Sequence, residues 1–528
     1  MGCSFGAVED YWCGHGRDCS AIEEKVQDTC VGDNGCNLCL SPLSSNSSFY
    51  DQNEKNSGHK TVCKDNDIYV DNEEDTYPDK HYRHEYYHST AARAGDADRI
   101  YKVPAAGSQK AEAACADPQV TPSSSSGATL QLSHRYGPCS PAPSTDEPTM
   151  AELLQRDQLR AEYVQRKFYS GDDALDQSKI TVPTNLGTAL ETLQYVITVG
   201  IGSPAVTQKM IIDTGSDVSW VHCSSPNGSV LFDPVKSSTY SPFSCTSTPC
   251  TQLGEDGNGC SSSQCQYMVT YGDGSNTTGT YGSDTLALTT SETVANFNFG
   301  CSHKEEGFDD KTDGLMGLGG DAESLVSQTA ATYGKAFSYC LPQTSRNPGF
   351  LTLGAPNSTS GFATTPMYKF ENVSTYYGIL LQDIAVGGDP LGISPAVFSA
   401  GSVMDSGTII TRLPARAYSA LSSAFRAGMR GYPRAPTVSL FDTCFDFTGL
   451  DLANVSVPAV TLVFDGGVEV DLVYNGIMVA IGDDTMVTEC LAFAATSSLS
   501  LIGNVQQRTF EVLHDVGQGV FGFRSDAC

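Results

Sequence analysis

The sequence predicts a mostly β protein with two related lobes, preceded by a disordered segment and one helix. Two observations predict this fold class. From Val182 to the C-terminus, short runs rich in Val, Ile, Thr and Tyr alternate with Gly, Ser, Asn and Asp, which is the pattern of strands joined by turns. Within that part of the chain a pair of motifs occurs twice in the same order, which is typical of a duplicated lobe.

The repeated motifs are a tetrapeptide that begins with Asp and a later apolar dipeptide that is followed by Gly. The first tetrapeptide spans Asp213–Ser216, and its partner Leu315–Gly317 ends 104 residues after the Asp. The second spans Asp405–Thr408, and its partner Leu501–Gly503 ends 98 residues after the Asp. The matching order and spacing favour two copies of one structural unit over two unrelated turns.

The composition excludes several classes of partner. The chain of 528 residues has 31 Lys and Arg against 61 Asp and Glu, a formal net charge of −30, and 40% of its residues are hydrophobic. Nucleic acids and anionic membranes are themselves negative, so we expect neither as a partner. No apolar run reaches the roughly 18–20 residues that a membrane-spanning helix needs.

Composition and periodicity divide the chain into four parts. Residues 1–127 are acidic and polar and end in a linker rich in Pro, Ser and Ala, so we expect them to be disordered. Residues 128–187 contain an extended run, Ala128–Leu132, and a stretch from Thr149 to Phe168 with apolar residues at helical spacing. We expect residues 188–365 to form an N-terminal lobe and residues 366–528 a C-terminal lobe.

The cysteines and glycosylation sequons of the β region indicate an oxidising compartment. Ten cysteines lie between Cys223 and Cys528, an even number that suits five disulfides, although spacing alone leaves their connectivity open. The polar first residues show no secretory leader, but we expect the secretory pathway, with an extracellular or vacuolar destination. The glycosylation candidates are Asn227, Asn276, Asn357, Asn372 and Asn454.

The two repeated Asp residues have the chemistry of a general acid–base pair. Each follows apolar residues that predict a buried strand, and the Gly two positions later permits a tight turn. If the turns face each other, Asp213 and Asp405 share one proton, because like charges at close range cannot both ionise readily. Such a pair can take a proton from water as that water attacks a carbonyl, without a metal or a cofactor. The hydroxyls of Ser216 and Thr408 are placed to donate to the outer carboxylate oxygens.

From about Tyr195 to Cys528 these motifs resemble those of the pepsin-like aspartic endopeptidases, in particular the plant nepenthesin-type branch with xylanase-inhibitor-like lobes. Trp220 stands seven residues after Asp213, where that family has its active-site Trp. The segment Tyr271–Ser275 resembles the hairpin flap that closes over substrate, with Tyr271, Gly272 and Asp273 at its tip. The residues that the resemblance implies as supports of the two carboxylates are Thr214, Gly215, Ser216, Ser406, Gly407 and Thr408.

The resemblance implies a bilobal pepsin-like fold with the active-site cleft between the lobes. It implies a monomer that hydrolyses polypeptides at acidic pH and is made as a zymogen. Residues 128–187 would then be a propeptide, which binds the protein's own lobes and leaves in acid after a cut between Phe168 and Leu193. The disulfides that it implies are Cys223–Cys301, Cys245–Cys265, Cys250–Cys260, Cys340–Cys528 and Cys444–Cys490.

Other features of the sequence suggest different functions. The segment His84–His88 matches the zinc-peptidase pattern His-Glu-x-x-His, but its surroundings are polar, so we interpret it as a chance match, like the Cys36–Cys39 pair. The main alternative is a catalytically silent pepsin-fold binding protein such as a xylanase inhibitor. Both Asp residues, both neighbouring hydroxyls and Tyr271 are present, which favours the enzyme. A DNA-binding role, reported for a related chloroplast protein, conflicts with the charge of −30.

Overall fold

The computed structural model describes most of the chain beyond Arg99, and every residue that it describes belongs to one compact unit, Thr90–Cys528. The expectations for residues 1–99 lie outside the described residues, including those for His84–His88 and Cys36–Cys39. Those for Asn227 and Cys528 also lie outside. The described residues are 100–102, 115, 122–123, 127–141, 150–169, 195–223, 232–308, 312–342, 347–359, 361–481, 487–508, 510–525 and 527.

Two strands and one long helix precede the lobes. They are β1 Ile100–Lys102, β2 Thr129–His134 and α1 Met150–Tyr169. The helix coincides with the helical spacing of the sequence, with acidic Glu152 in its first turn and basic Arg166 and Lys167 in its last, as the helix dipole favours. Its apolar side chains lie on the face that is buried against the lobes.

The N-terminal lobe is made of strands with short helices between them. Its strands are β3 Tyr195–Ile201, β4 Val206–Asp213, β5 Trp220–His222, β6 Ser241–Pro242, β7 Gly257–Ser261, β8 Gln264–Thr270, β9 Asn276–Ala287, β10 Thr293–Glu306, β11 Gly314–Gly317, β12 Ala336–Cys340, β13 Gly349–Leu353 and β14 Ala363–Pro366. Its helices are α2 Thr248–Gln252, α3 Leu325–Gln328 and α4 Ala330–Tyr333.

The C-terminal lobe repeats this construction around one longer helix. Its strands are β15 Gly378–Ile379, β16 Leu381–Val386, β17 Asp389–Pro390, β18 Ser402–Met404, β19 Thr411–Pro414, β20 Arg434–Ala435, β21 Cys444–Asp446, β22 Ser456–Pro458, β23 Val460–Phe464, β24 Val468–Asp471, β25 Met478–Ile481, β26 Thr488–Leu491, β27 Phe493–Thr496, β28 Ser500–Ile502, β29 Glu511–Asp515 and β30 Val520–Arg524. Its helices are α5 Ala415–Gly428, α6 Tyr474–Ile477 and α7 Asn504–Gln507.

One large sheet runs through the N-terminal lobe and takes up the last strands of the chain. Its strand order is β14-β30-β29-β12-β13-β2-β3-β4-β11-β5-β10-β9-β8-β7. Strand β2 is therefore an interior strand, antiparallel to β13 on one side and to β3 on the other. Leu130 and Leu132 of β2 are buried in the main hydrophobic core, which extends into both lobes.

The repeat predicted from the sequence is confirmed in the topology. In the first lobe β11 pairs in parallel with β4, which places Gly317 beside Asp213. In the second lobe β28 pairs in parallel with β18, which places Ile502 beside Met404. The same strand arrangement therefore lies behind each Asp motif, and the mostly β, bilobal fold class is confirmed.

Two of the disulfides are the ones expected from the sequence, and two others differ from the expected pairing. Cys223–Cys301 and Cys444–Cys490 are present. The pairs Cys245–Cys265 and Cys250–Cys260 are wrong, because the bonds are Cys245–Cys260 and Cys250–Cys265. Cys260 and Cys265 lie opposite each other in the β7–β8 hairpin. The path of the preceding segment, which contains α2, therefore decides which of them bonds Cys245 and which bonds Cys250.

Three other described cysteines form disulfides, two of them before the lobes and one in β12. Cys115 bonds Cys139, a pair within the N-terminal segment that the sequence analysis missed. Cys340 is disulfide-bonded, and its expected partner Cys528 lies outside the described residues. Among the described helices, none is long and apolar enough to cross a lipid bilayer.

We predict that mass-spectrometric mapping of the unreduced protein will identify Cys245–Cys260 and Cys250–Cys265 cross-links. Fragmentation of the peptide backbone between Cys260 and Cys265 separates the two alternatives, and a reduced, alkylated sample is the control. A cross-link between Cys245 and Cys265 would contradict the course of the chain through α2.

Candidate active site

Asp213 is held at the end of a buried strand. It is the last residue of β4, whose apolar run Met210–Ile212 is buried. The backbone carbonyl of Asp213 accepts a hydrogen bond from the Leu318 N–H at 2.8 Å, just beyond β11. The backbone of Asp213 is therefore fixed against β11. The whole residue is buried.

Asp405 is held in the same way in the other lobe. It follows β18 directly, and its N–H donates to the Ile502 carbonyl of β28 at 3.1 Å. Asn504, just beyond β28, donates from its side chain to the Ser406 carbonyl at 3.1 Å. Asp405 is also fully buried.

The two Asp-containing loops interlock through their second residues. The Thr214 N–H donates to the Ser406 hydroxyl at 3.2 Å, and the Ser406 N–H donates to the Thr214 hydroxyl at 2.9 Å. This reciprocal exchange fixes one loop against the other across the lobe boundary. The structure brings Thr214 and Ser406 together, and their expected role as supports of the two carboxylates stays a prediction.

The two glycines of the loops allow close approach to the carboxylates. The N–H groups of Gly215 and Gly407 each donate to Oδ1 of the Asp two residues earlier, both at 3.0 Å. A Cβ on Gly215 would lie 3.0 Å from Oδ1 of Asp405, the opposite carboxyl group. Glycine is therefore required where the loops meet.

The two flanking hydroxyls behave differently. The Thr408 hydroxyl donates to Oδ2 of Asp405 at 2.6 Å, as expected. The expectation for Ser216 is wrong in this structure, because its buried hydroxyl has no hydrogen-bond partner among the described residues. Both oxygens of Asp213 instead face a guanidinium group, that of Arg160, with Oδ1 at 2.7 Å and Oδ2 at 3.5 Å.

A hairpin covers the cleft on the side of the N-terminal lobe. Its tip, Tyr271–Ser275, joins β8 to β9, and Asp273 accepts from both the N–H and the hydroxyl of Ser275. The Trp220 indole N–H donates to the Tyr271 hydroxyl at 2.8 Å, and both side chains are buried. The structure thus brings Trp220 and Tyr271 together through a direct hydrogen bond.

Helix α1 lies in the cleft and inserts Arg160 between the two carboxylates. Nη2 of Arg160 is 2.7 Å from Oδ1 of Asp213 and 2.7 Å from Oδ1 of Asp405, and Nε is 2.9 Å from Oδ2 of Asp405. One nitrogen thus contacts both carboxyl groups. A Cβ on Gly407 would lie only 2.2 Å from the guanidinium carbon, so the glycine also makes room for Arg160.

The charge of Arg160 dominates the electrostatics of this site. Burial alone would raise the pKa of Asp405, but the guanidinium of Arg160 and the donors Thr408 and Gly407 outweigh burial and hold that pKa below its usual value. The neighbouring carboxylates raise the pKa of Arg160 well above its usual range despite its burial. Asp405 and Arg160 therefore form a buried ion pair.

The rest of α1 fills the cleft on both sides of Arg160. Toward its start, Leu153 and Leu154 pack in an apolar cluster with Ile409 and Ile410. Toward its end, Val164 packs in a second cluster with the side chains Tyr376, Val403, Leu499 and Leu501.

The helix also packs against the flap. A Cβ on Gly272 would lie 2.9 Å from that of Tyr163 and 3.0 Å from the backbone of Arg160. The flap glycine is therefore in direct contact with the helix.

Two functional contacts of the helix were missed by sequence analysis. Arg160 was not singled out, because an amphipathic pattern shows which face is buried but not which partner it meets. Asp157 was missed for the same reason. Its carboxylate accepts from the Ile409 N–H at 2.6 Å and from Arg412 at 2.7 Å. The sequence did contain a signal for these contacts, because Asp157 and Arg160 lie on the same helix face as Leu153 and Leu154, where a buried face normally carries apolar residues.

The glycosylation candidates differ in accessibility. Asn357, Asn372 and Asn454 are exposed, and so can receive a glycan. Asn276 is half-buried, and its side-chain amide donates to Glu306 at 3.2 Å. A glycan on Asn276 would have to break that hydrogen bond.

Comparison with known families gives matches over both lobes. The family model described as xylanase inhibitor N-terminal matches residues 195–355, and the model described as xylanase inhibitor C-terminal matches residues 376–525. The boundary between the two matches falls between β13 and β15, where the chain passes from one lobe to the other.

Comparison with individual proteins gives plant relatives that match most of the chain. Aspartyl protease AED1 of Arabidopsis thaliana is 37% identical over 77% of this chain and 88% of its own length. Aspartic proteinase nepenthesin-2 of Nepenthes gracilis is 34% identical over 72% and 87%. The crystal structure of basic 7S globulin from soybean shares the fold, with a TM-score of 0.52 and 20% identity, over 64% of this chain and 92% of that one.

We predict that α1 leaves the cleft more readily in acid. The pKa of Asp405 is depressed while the helix is bound, so the ion pair stabilises the bound helix in full above the ordinary Asp pKa of about 3.9. That contribution is lost as the pH falls through the lower pKa of the bound state. Hydrogen–deuterium exchange should show smaller protection factors for α1 at pH 3 than at pH 6, after correction for intrinsic rates.

We predict that Arg160→Ala loosens α1 at pH 6. Removing one partner of a buried ion pair costs about 3–5 kcal/mol, so helix protection should fall at least about 100-fold. The matched control is Lys167→Ala, whose ion pair with Glu255 is exposed and should change protection little. Equal effects of the two variants would contradict the role of Arg160.

Proposed function

The chain belongs to the plant pepsin-like aspartic proteases, and from that membership we propose that it is an aspartic endopeptidase made as a zymogen. The observation that carries the proposal is the placement of Asp213 and Asp405. One guanidinium nitrogen lies 2.7 Å from an oxygen of each, so the two oxygens are within twice that distance of each other. Two carboxyl groups this close can share a proton and hold one water between them.

The proposed reaction uses this pair without a covalent intermediate. With the helix gone, one carboxylate takes a proton from a water that attacks the peptide carbonyl carbon. The protonated partner donates a hydrogen bond to the carbonyl oxygen and later supplies the proton that the leaving amine needs. The Gly215 and Gly407 N–H groups and the Thr408 hydroxyl hold the carboxylates in place, and Tyr271 closes the cleft.

Latency follows from the position of α1. Arg160 occupies the place between the carboxylates where the attacking water would have to lie, and its charge favours the ionised form of Asp405. With the guanidinium in that place, the pair cannot hold a shared proton and a water between its members. The segment of residues 128–187 is therefore proposed as the propeptide, and acid is the proposed trigger for its release.

A catalytically silent binding protein is the second candidate, because the two family models that match the lobes are described as xylanase inhibitor domains. The complete pair of carboxylates, the interlocked loops and the Trp220–Tyr271 hydrogen bond favour the enzyme. The observed disulfides support function in the secretory pathway, with the extracellular space or the vacuole as the proposed destination.

We predict that Asp213→Asn and Asp405→Asn each abolish cleavage. Loss of either carboxyl removes the shared proton, so the rate on a denatured protein substrate at pH 3–5 should fall on the order of 10³-fold or more. Asp389→Asn is the matched control, because Asp389 is exposed on β17. Pepstatin should inhibit the wild-type protein and EDTA should not.

Two results would contradict this assignment. Full activity of either dyad variant would show that other groups perform the chemistry. Absence of cleavage by correctly folded wild-type protein without its propeptide would favour the binding protein, and its partner would then be sought among glycoside hydrolases.

We predict that the full chain is inactive near pH 6 and becomes active after acid treatment. N-terminal sequencing of the active species should locate a new N-terminus between Phe168 and Leu193. Arg160→Ala should shift the onset of activity toward neutral pH, because the carboxylates lose their cation. Acid-induced activity with an intact, uncut chain that keeps α1 in the cleft would argue against a zymogen.

A further inference from the structure

Beside the two catalytic carboxylates, α1 occupies a second buried site that binds an anion. Asp157 is fully buried, and the hydrogen-bond donors to its carboxylate among the described residues belong to the C-terminal lobe. Oδ1 accepts from the Ile409 N–H at 2.6 Å. Oδ2 accepts from the Ile410 N–H at 3.4 Å and from Nη2 of Arg412 at 2.7 Å. Two backbone donors and a guanidinium thus converge on one carboxylate.

The guanidinium of this site depends on the helix for its partners. Arg412 has a side chain only 2% exposed, and among the described residues its side-chain hydrogen-bond partners are Asp157 and Gln158, both on α1. Its Nε is buried without a partner. Departure of the helix would leave the guanidinium and the two backbone donors without these partners, so the site could then accept another anion.

The site lies in the cleft and is flanked by apolar surface. Ile409 is four residues beyond Asp405, so its backbone lies within about 13 Å of that residue, which is the length of about four residues of an extended substrate. Leu153 and Leu154 fill the apolar cluster next to it. A cleft of about 300 Å³ opens beside Arg412, lined on the lobe side by Ala495, Thr496 and Ser497.

We propose that the Ile409 and Ile410 N–H groups and Arg412 form a subsite for an acidic side chain of the polypeptide substrate, which takes the place that Asp157 occupies in the precursor. The proposal rests on the endopeptidase function proposed above and specifies its substrate class. The preferred substrates carry Asp, and less well Glu, within four residues of the scissile bond, next to an aliphatic residue that fills the position of Leu153 or Leu154. The short reach of Asp157 favours Asp over Glu.

The test uses the acid-activated full-length protein at pH 5, where a free Asp side chain is largely ionised. A library of peptides from a digested proteome is cleaved, and the residues around each cut are identified by mass spectrometry. The best acidic peptide is then made in matched Asp and Asn forms. We expect kcat/KM for the Asp form to exceed that for the Asn form at least about 10-fold, since charged donors favour a charged acceptor.

Substitution of Arg412 should remove this preference. In Arg412→Met, which keeps the length of the side chain without its charge, the Asp-to-Asn ratio should fall to near one, and Arg412→Lys should retain part of it. Arg430→Met, a substitution of the same kind at an exposed position of the same lobe, should keep the wild-type ratio.

Three outcomes would overturn the proposal. If the wild-type protein cleaves the library with no enrichment of acidic residues, Arg412 serves only to hold the helix; this result needs no variant to fold. If Arg412→Met keeps the Asp preference, the acidic side chain binds elsewhere. If the wild-type protein cleaves no peptide at all, the endopeptidase function fails and the subsite fails with it, which separates that result from the first.

Discussion

The rest of the structure depends on two buried carboxylates that are held too close together to be charged without compensation. Asp213 and Asp405 have no exposed surface, and parallel strands fix the backbone at each of them. The exchange between Thr214 and Ser406 locks one loop to the other, so the carboxylates cannot relieve their repulsion by moving apart. The pair therefore requires a proton or a cation between its members, and that requirement connects the proposed latency, the effect of acid and the proposed catalysis.

Helix α1 meets this requirement in the precursor by electrostatic and apolar contacts that respond differently to pH. The ion pairs of Arg160 weaken when the carboxylates are protonated. The apolar contacts of Leu153, Leu154 and Val164 do not depend on protonation, and each such side chain contributes roughly 1.5–3 kcal/mol when it is fully buried. Acid therefore reduces the affinity of the helix for the cleft without removing it. A cut between α1 and β3 would then leave the helix attached to the lobes only through its own contacts and those of β2.

The sequence predicted what is encoded locally and by repetition, and it did not predict the pairings made over long distances. The two Asp motifs, their partner strands, the flap and the helix are short patterns, so each could be recognised within its own segment. Arg160 meets residues 53 and 245 positions away, and periodicity shows only that its helix has a buried face. The disulfides near α2 were mispaired for a related reason. Four cysteines within 21 residues allow several disulfide pairings, and the direction of the short helix α2 selects one of them.

If the chain is a zymogen as proposed, its propeptide includes strand β2 and so contributes to the sheet as well as filling the cleft. This strand lies between β13 and β3 inside the sheet, and its disulfide-bonded neighbour Cys139 is linked to Cys115, so no described covalent bond ties it to the lobes. A cut after α1 would therefore produce a nicked particle of two polypeptides, held together by backbone hydrogen bonds and the burial of Leu130 and Leu132. Burial and the charge of Arg508 lower the pKa of His134 in this strand to about 3, so a released strand takes up a proton below about pH 6.5. The two fragments would migrate together in a native gel and separate in a denaturing gel. In solution they would dissociate when acid weakens the contacts of β2 or when another strand takes its place in the sheet.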